Sequence, residues 1–115
     1  MTPEKENLIV NKTFEFSLGI IAYTELLESK RKYNIANQLF RSGTSIGANV
    51  REAQGAETKA DFRHKMKVAY KEAEETEYWL ELCKNAPNYP SPAQLAEEIQ
   101  SIQRILGKII SSSQN

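Results

Sequence analysis

The chain has 115 residues, and its 15 Lys and Arg residues are balanced by 15 Asp and Glu residues, so the formal net charge is zero. This length predicts a single domain over residues 1–115. The charge balance argues against a strongly basic nucleic-acid-binding module and against an acidic disordered tail. With 40% hydrophobic residues but only 5 Gly and 4 Pro, the composition favours a helical bundle over a turn-dense β-sandwich or barrel.

The cysteine content and the amino-terminal sequence indicate a cellular location. Cys83 is the only cysteine, so no intrachain disulfide can form, as is usual in a reducing cytoplasm. The first residues, MTPEKENLIVNK, carry charges where a signal peptide has its apolar stretch. No run approaches the roughly 20 apolar residues of a membrane span. We therefore expect a cytoplasmic protein with no membrane association.

The first helix is predicted over residues 3–29, and it has apolar residues on two nearly opposite faces. At about 100° per residue, one stripe comprises Val10, Phe14, Leu18, Ile21 and Ala22, and the other comprises Ile9, Phe16, Ile20, Tyr23 and Leu27. A four-helix bundle buries only one of these faces, so another subunit is expected to cover the other. The stripe from Ile9 to Leu27 is the candidate subunit interface, although periodicity alone leaves open which stripe faces the neighbour.

The second helix is predicted over residues 33–54. Its apolar face includes Phe40, Gly43 and Gly47, and the two glycines would permit close approach by a neighbouring helix. The opposite face carries short polar and charged side chains, namely Arg41, Ser42, Ser45, Asn49 and Glu52. These residues predict either a structural hydrogen-bond network with Glu75 as the partner across the bundle, or a ligand or nucleic-acid contact in which Arg41 binds an anion.

The third helix is predicted over residues 58–84 and the fourth over residues 92–110. Thr58 and Asp61 have the spacing of a capping box at the start of the third helix. Ser91 as N-cap and Pro92 at the first helical position mark the start of the fourth. The short connections predict an all-α protein, an antiparallel up-down-up-down four-helix bundle.

No residue pattern of the sequence is typical of catalysis. His64 is the only histidine and has no second ligand at metal-binding spacing, so it is expected on the surface. Cys83 is expected to be a buried apolar residue. The segment from Gly43 to Gly47 lacks the Lys-Ser/Thr ending of a phosphate-binding loop. We therefore expect no catalytic, cofactor-binding or metal-binding residues, and a protein that is not an enzyme.

One end of the expected bundle is enriched in basic residues. These are the candidates for nucleic-acid contact: Arg51, Lys59, Arg63, Lys65, Arg104 and Lys108. Glu52, Glu57 and Asp61 lie nearby and reduce the positive charge of this end. Any nucleic-acid site is therefore expected at this end.

Residues 37–53, NQLFRSGTSIGANVREA, resemble the signature of the four-helix-bundle family of 23S rRNA intervening-sequence proteins. This family includes relatives of the accessory protein of diversity-generating retroelements. Further positions that match its third-helix pattern are Phe62, Ala69, Glu75 and Leu80, and the resemblance extends from about Phe14 to Ile110. Two positions depart from the pattern, since Ala53 replaces a usual Gly and Glu72 replaces a common Ser.

The resemblance implies a ring-shaped homopentamer of four-helix bundles with no established enzymatic activity. The retroelement relatives are markedly basic and bind a reverse transcriptase and nucleic acid, whereas this chain is neutral. We therefore expect a non-catalytic homo-oligomeric scaffold whose partner is a protein or RNA. The alternative is an RNA- or nucleic-acid-binding accessory protein associated with rRNA or a reverse transcriptase.

Overall fold

The computed structural model describes the backbone of residues 3–114 and the side chains of residues 8–114. It contains four α-helices: α1 (Pro3–Ser29), α2 (Tyr33–Ala53), α3 (Lys59–Asn85) and α4 (Ala93–Ser112). Residues 3–114 contain no β-strand. The predicted all-α class is confirmed, and every helix boundary lies within two residues of its predicted position.

Neighbouring helices run antiparallel. Between α2 and α3, Arg41 contacts Glu75, whereas the later residue Glu52 contacts the earlier residue Lys65. The two helices therefore run in opposite directions. Each helix packs against two others, in the cyclic order α1, α2, α3, α4. The resulting bundle measures 47 × 20 × 19 Å. This arrangement leaves an outer surface along every helix and a core between the four.

The core contains one apolar face of each helix. Large side chains that are fully buried there include Phe16, Ile20, Leu39, Ile46, Met66, Leu80, Ile99, Ile102 and Leu106. Their repeat every three or four residues is the pattern of a helix that buries a single stripe. Burial of this apolar surface is the main favourable contribution to folding.

The prediction that the stripe of α1 from Ile9 to Leu27 forms the subunit interface was wrong. Its five residues, Ile9, Phe16, Ile20, Tyr23 and Leu27, are at most 7% exposed and belong to the core. They cannot face another subunit because the other helices of the same chain cover them; Ile20, for example, lies directly against Gly43 of α2. The other stripe of α1 is the one that reaches the surface.

Gly43 and Gly47 allow α1 and α2 to approach each other closely, as predicted. A Cβ atom at Gly43 would lie 2.8 Å from Cγ1 of Ile20, and one at Gly47 would lie 3.2 Å from the backbone oxygen of Thr13. Any larger residue would force the helices apart or displace a buried side chain. The closely packed pair fixes the orientation of both helices, and therefore which of their faces remain exposed.

The helix starts follow the predicted signals in part. The hydroxyl of Thr58 accepts a hydrogen bond of 3.0 Å from the backbone N–H of Asp61, which confirms the cap of α3. In α4 the N-cap is Pro92 rather than Ser91, and it makes no side-chain cap bond. Ser91 instead accepts a hydrogen bond of 3.3 Å from the backbone N–H of Ala93.

Candidate functional site

The polar face of α2 contacts α3 through an exposed ion pair. Nη2 of Arg41 lies 2.8 Å from Oε2 of Glu75, and the same oxygen accepts a 3.0 Å hydrogen bond from Nε1 of Trp79. The side chain of Arg41 is 58% exposed and that of Glu75 is 33% exposed. The predicted partnership of Arg41 with Glu75 is therefore present, but water screens it.

A second contact between α2 and α3 is buried. Oγ of Ser42 lies 2.9 Å from Oγ1 of Thr76, and both residues are fully buried. The Thr76 hydroxyl also lies 2.7 Å from the backbone oxygen of Glu72. These groups satisfy one another inside an apolar core, where an unpaired hydroxyl would cost about 1–3 kcal/mol. The polar face predicted for α2 therefore includes one residue, Ser42, that lies inside the bundle.

The other residues of the predicted network make one contact with α3 and two hydrogen bonds within α2. Nζ of Lys65 lies 3.1 Å from Oε1 of Glu52, a further link to α3. The hydroxyl of Ser45 donates to the backbone oxygen of Arg41 at 2.6 Å, and the amide of Asn49 donates to that of Ser45 at 2.9 Å. Ser45 and Asn49 thus bond to their own helix, and their hydrogen bonds do not join α2 to α3.

The exposure of the ion pair between Arg41 and Glu75 predicts a small contribution to stability. Arg41→Ala should lower the free energy of unfolding by about 0.2–1 kcal/mol, the range of surface ion pairs, rather than the 3–5 kcal/mol of a buried pair. Urea unfolding of Arg41→Ala, Glu75→Gln and the double variant would give the coupling energy directly. A coupling energy above about 3 kcal/mol would contradict the screened geometry.

The outer surface of the α1–α2 pair is apolar. We define the outer face as Phe14, Leu18 and Ile21 of α1 with Phe40 of α2, whose exposed fractions lie between 37% and 48%. Phe40, expected in the core, lies one turn before Gly43, where α2 approaches Ile20 of α1. Because large apolar side chains are normally withdrawn from water, a group of four on adjoining helices indicates an interaction surface.

Arg51 extends one end of the outer face. Its guanidinium lies 5.8 Å from the centre of the Phe14 ring, a cation–π contact. The two side chains also line a small notch with Gly47, and its volume is about 200 Å³. Arg51 was predicted as a nucleic-acid contact, but the structure places it beside the apolar outer face.

The other basic candidates are divided among a cleft, an ion pair and the exposed surface of α4. Lys59 and Arg63 line a cleft of about 580 Å³ beside the end of α4. Nε of Arg63 is buried there and has no hydrogen-bond partner among the described residues. Lys65 is paired with Glu52, and Arg104 and Lys108 are exposed on α4. Of the six predicted contacts, the structure brings only Lys59 and Arg63 together in one cleft.

The described residues include no group of three or more His, Cys, Asp or Glu side chains that could hold a metal ion. His64 is exposed and Cys83 is buried, as predicted. Burial raises the pKa of the Cys83 thiol. The Tyr23 hydroxyl donates to the backbone oxygen of Pro90 at 2.7 Å. Tyr23 therefore holds the loop before α4 against the bundle.

Within the described chain, no helix is both long and apolar enough to cross a membrane.

Comparison with known proteins identifies the family. The family model of the 23S rRNA-intervening sequence protein matches residues 5–111. The fold is similar to the crystal structure of a protein of unknown function from the S23 ribosomal protein family of Bacteroides thetaiotaomicron, with 40% sequence identity and a TM-score of 0.87. That similarity covers 93% of this chain and 98% of the other. A search of curated proteins found no match. The chain belongs to the family of 23S rRNA-intervening sequence proteins.

Proposed function

We propose that the protein is a non-catalytic scaffold of the cytoplasm that self-associates through the outer face of α1 and α2. A ring of five subunits is the form that the family resemblance implies. The observation that supports the proposal is the group of exposed apolar side chains, Phe14, Leu18, Ile21 and Phe40. Self-association would remove these side chains from water without any change in the bundle.

The energetics of this face are compatible with a reversible assembly. Covering a half-exposed large apolar side chain stabilises by roughly 1 kcal/mol, about half the value for full burial. The outer face contains four such side chains, and a contacting subunit contributes apolar surface of its own. The sum is comparable with the cost of roughly 4–15 kcal/mol for losing translational and rotational freedom. We therefore expect the oligomer to dissociate on dilution.

Multi-angle light scattering of the unmodified protein over a range of concentrations tests the proposal. The chain has a mass of 13.1 kDa, so five subunits give five times that mass, about 65 kDa. A mass near 13.1 kDa at all micromolar concentrations would contradict self-association. A mass of about twice the monomer would retain self-association and replace the ring by a dimer.

The alternative function is RNA binding by an accessory protein associated with rRNA or a reverse transcriptase. The cleft that contains Lys59 and Arg63 favours it, because both cations line one concave surface. The family description, which names 23S rRNA, also favours it. Arginine and lysine contacts to phosphate would provide the affinity.

We expect RNA binding by this protein alone to be weak and strongly dependent on salt. The net charge is zero, and two cations in one cleft release few counterions on binding. Titration of labelled rRNA fragments at two ionic strengths measures this, with Lys59→Glu as the test variant. Lys84→Glu, at the opposite end of α3, is the matched control. Tight binding that persists near physiological salt would favour the alternative function.

A further inference from the structure

A groove runs between α1 and α4, which form the least extensive of the four helix–helix contacts. Two adjoining cavities, of about 450 and 300 Å³, lie in this groove and share Glu15 and Glu98 among their lining residues. This α1–α4 groove is separate from the outer face, whose residues do not line either cavity.

The floor of the groove is apolar and its shape suits a helix. In the floor, Gly19 packs closely against Leu95, because a Cβ atom at Gly19 would lie 3.0 Å from Cδ2 of Leu95. Leu8 and Leu26 line its two ends, and each is about half exposed. Their separation of 18 residues along α1 corresponds to about 27 Å, the length of five helical turns. Leu95 fills the space beside Gly19, so a third helix would occupy the two cavities rather than a gap at Gly19.

The walls of the groove are acidic. Glu15 extends from α1 and Glu98 from α4, and neither forms an ion pair with the described residues. Lys12 is the only basic residue among the described residues that line the two cavities. A helix that lies in this groove would therefore have carboxylates on both sides of its apolar contact. Such an arrangement favours basic side chains on both flanks of the bound helix.

We propose that the α1–α4 groove binds a basic amphipathic helix of a partner protein. The apolar side of that helix packs along the groove between Leu8 and Leu26, and its Lys or Arg side chains contact Glu15 and Glu98. A second copy of this chain fits less well, because its exposed apolar stripe, on α1, also carries Glu15 and Glu25. Those carboxylates would meet the carboxylates of the groove. RNA is disfavoured for the same reason.

A designed peptide of 18 residues provides the probe. The Lys peptide has Leu at positions spaced three and four apart and Lys at all others. The Glu peptide has the same sequence with Glu in place of every Lys. Fluorescence anisotropy should show binding of the Lys peptide and not of the Glu peptide. The double variant Glu15→Lys/Glu98→Lys should weaken this binding at least about tenfold, because both charge contacts become repulsive. The matched control is Glu28→Lys/Glu97→Lys, which changes exposed residues of the same two helices outside the groove.

Three results would overturn the proposal. The first is no binding of the Lys peptide, and the second is an equal loss of binding in both double variants, which would show a response to net charge alone. The third is retained peptide binding in Gln94→Trp, which fills the larger cavity from an exposed position of α4 and is expected to abolish peptide binding without changing the mass of the protein. Dissociation of the proposed oligomer by Gln94→Trp would show that a second copy occupies the groove. Because mass and peptide binding are measured separately, failure of this proposal is distinguishable from failure of self-association.

Discussion

Replacing Ile20 by Glu is expected to unfold the chain rather than release folded subunits. Ile20 is fully buried and lies against Gly43 of α2, so the new carboxylate would be enclosed in the core without a cation. An unpaired buried charge costs several kcal/mol, and a domain has only about 5–15 kcal/mol of stability. Circular dichroism and urea unfolding should show a large loss of helix and of the cooperative transition.

The adjacent residue is the matched control for Ile20→Glu. Ile21 has the same side chain but belongs to the exposed outer face, so Ile21→Glu places its carboxylate in water and should leave the helical content intact. If Ile20→Glu kept a cooperative unfolding transition and only lowered the mass, the buried stripe of α1 would be the subunit interface. That outcome would contradict the packing of α1 against α2.

Most of the features that could be predicted from the sequence depend on neighbours along the chain. Helix boundaries follow from local signals such as Thr58 and Asp61, whose side chain and backbone bond to each other in α3. The role of Gly43 follows from its place on an apolar helix face, because a glycine there is useful mainly for close packing. The pairing of Arg41 with Glu75 is longer in range, yet the antiparallel order of α2 and α3 brings them to the same level.

The orientation of α1 could not be predicted from its own sequence. Both of its stripes contain large apolar residues, and the buried face also carries Thr13 and Thr24. Polar residues usually mark the solvent side, but these hydroxyls donate to backbone oxygens of the same helix, Thr13 to Ile9 at 2.8 Å. They therefore enter the core with their hydrogen bonds satisfied. Only the positions of α2 and α4 determine which stripe is buried.

The burial of individual residues on the polar face of α2 could not be predicted from the sequence either. The sequence indicated that α2 has a polar face, but it could not separate Ser42, which is fully buried, from Arg41, which is exposed. The two residues are adjacent, so about 100° of rotation around the helix decides their environments. Phe40 was predicted in the core because the sequence left this rotation undetermined. Phe40 is exposed in the structure, and it therefore adds α2 to the outer face.

Leu18→Glu is expected to convert the proposed oligomer into a folded monomer of 13.1 kDa. Leu18 lies in the outer face, between Phe14 and Ile21, and about half of its surface is exposed. In an assembled interface the carboxylate would be removed from water without a partner, which costs several kcal/mol. In the free subunit the same group stays hydrated, so the fold should be retained. Light scattering gives the mass, and circular dichroism of the same sample gives the helical content.

Tyr78→Glu is the matched control for Leu18→Glu. Tyr78 is an exposed apolar side chain of α3, so this variant adds the same charge and removes a large exposed side chain from a helix outside the outer face. It should keep the oligomeric mass of the unmodified protein. Equal dissociation by both variants would mean that added negative charge, rather than the outer face, controls assembly. Dissociation by Leu18→Glu alone would place the subunit contact on the stripe of α1 that the fold leaves exposed.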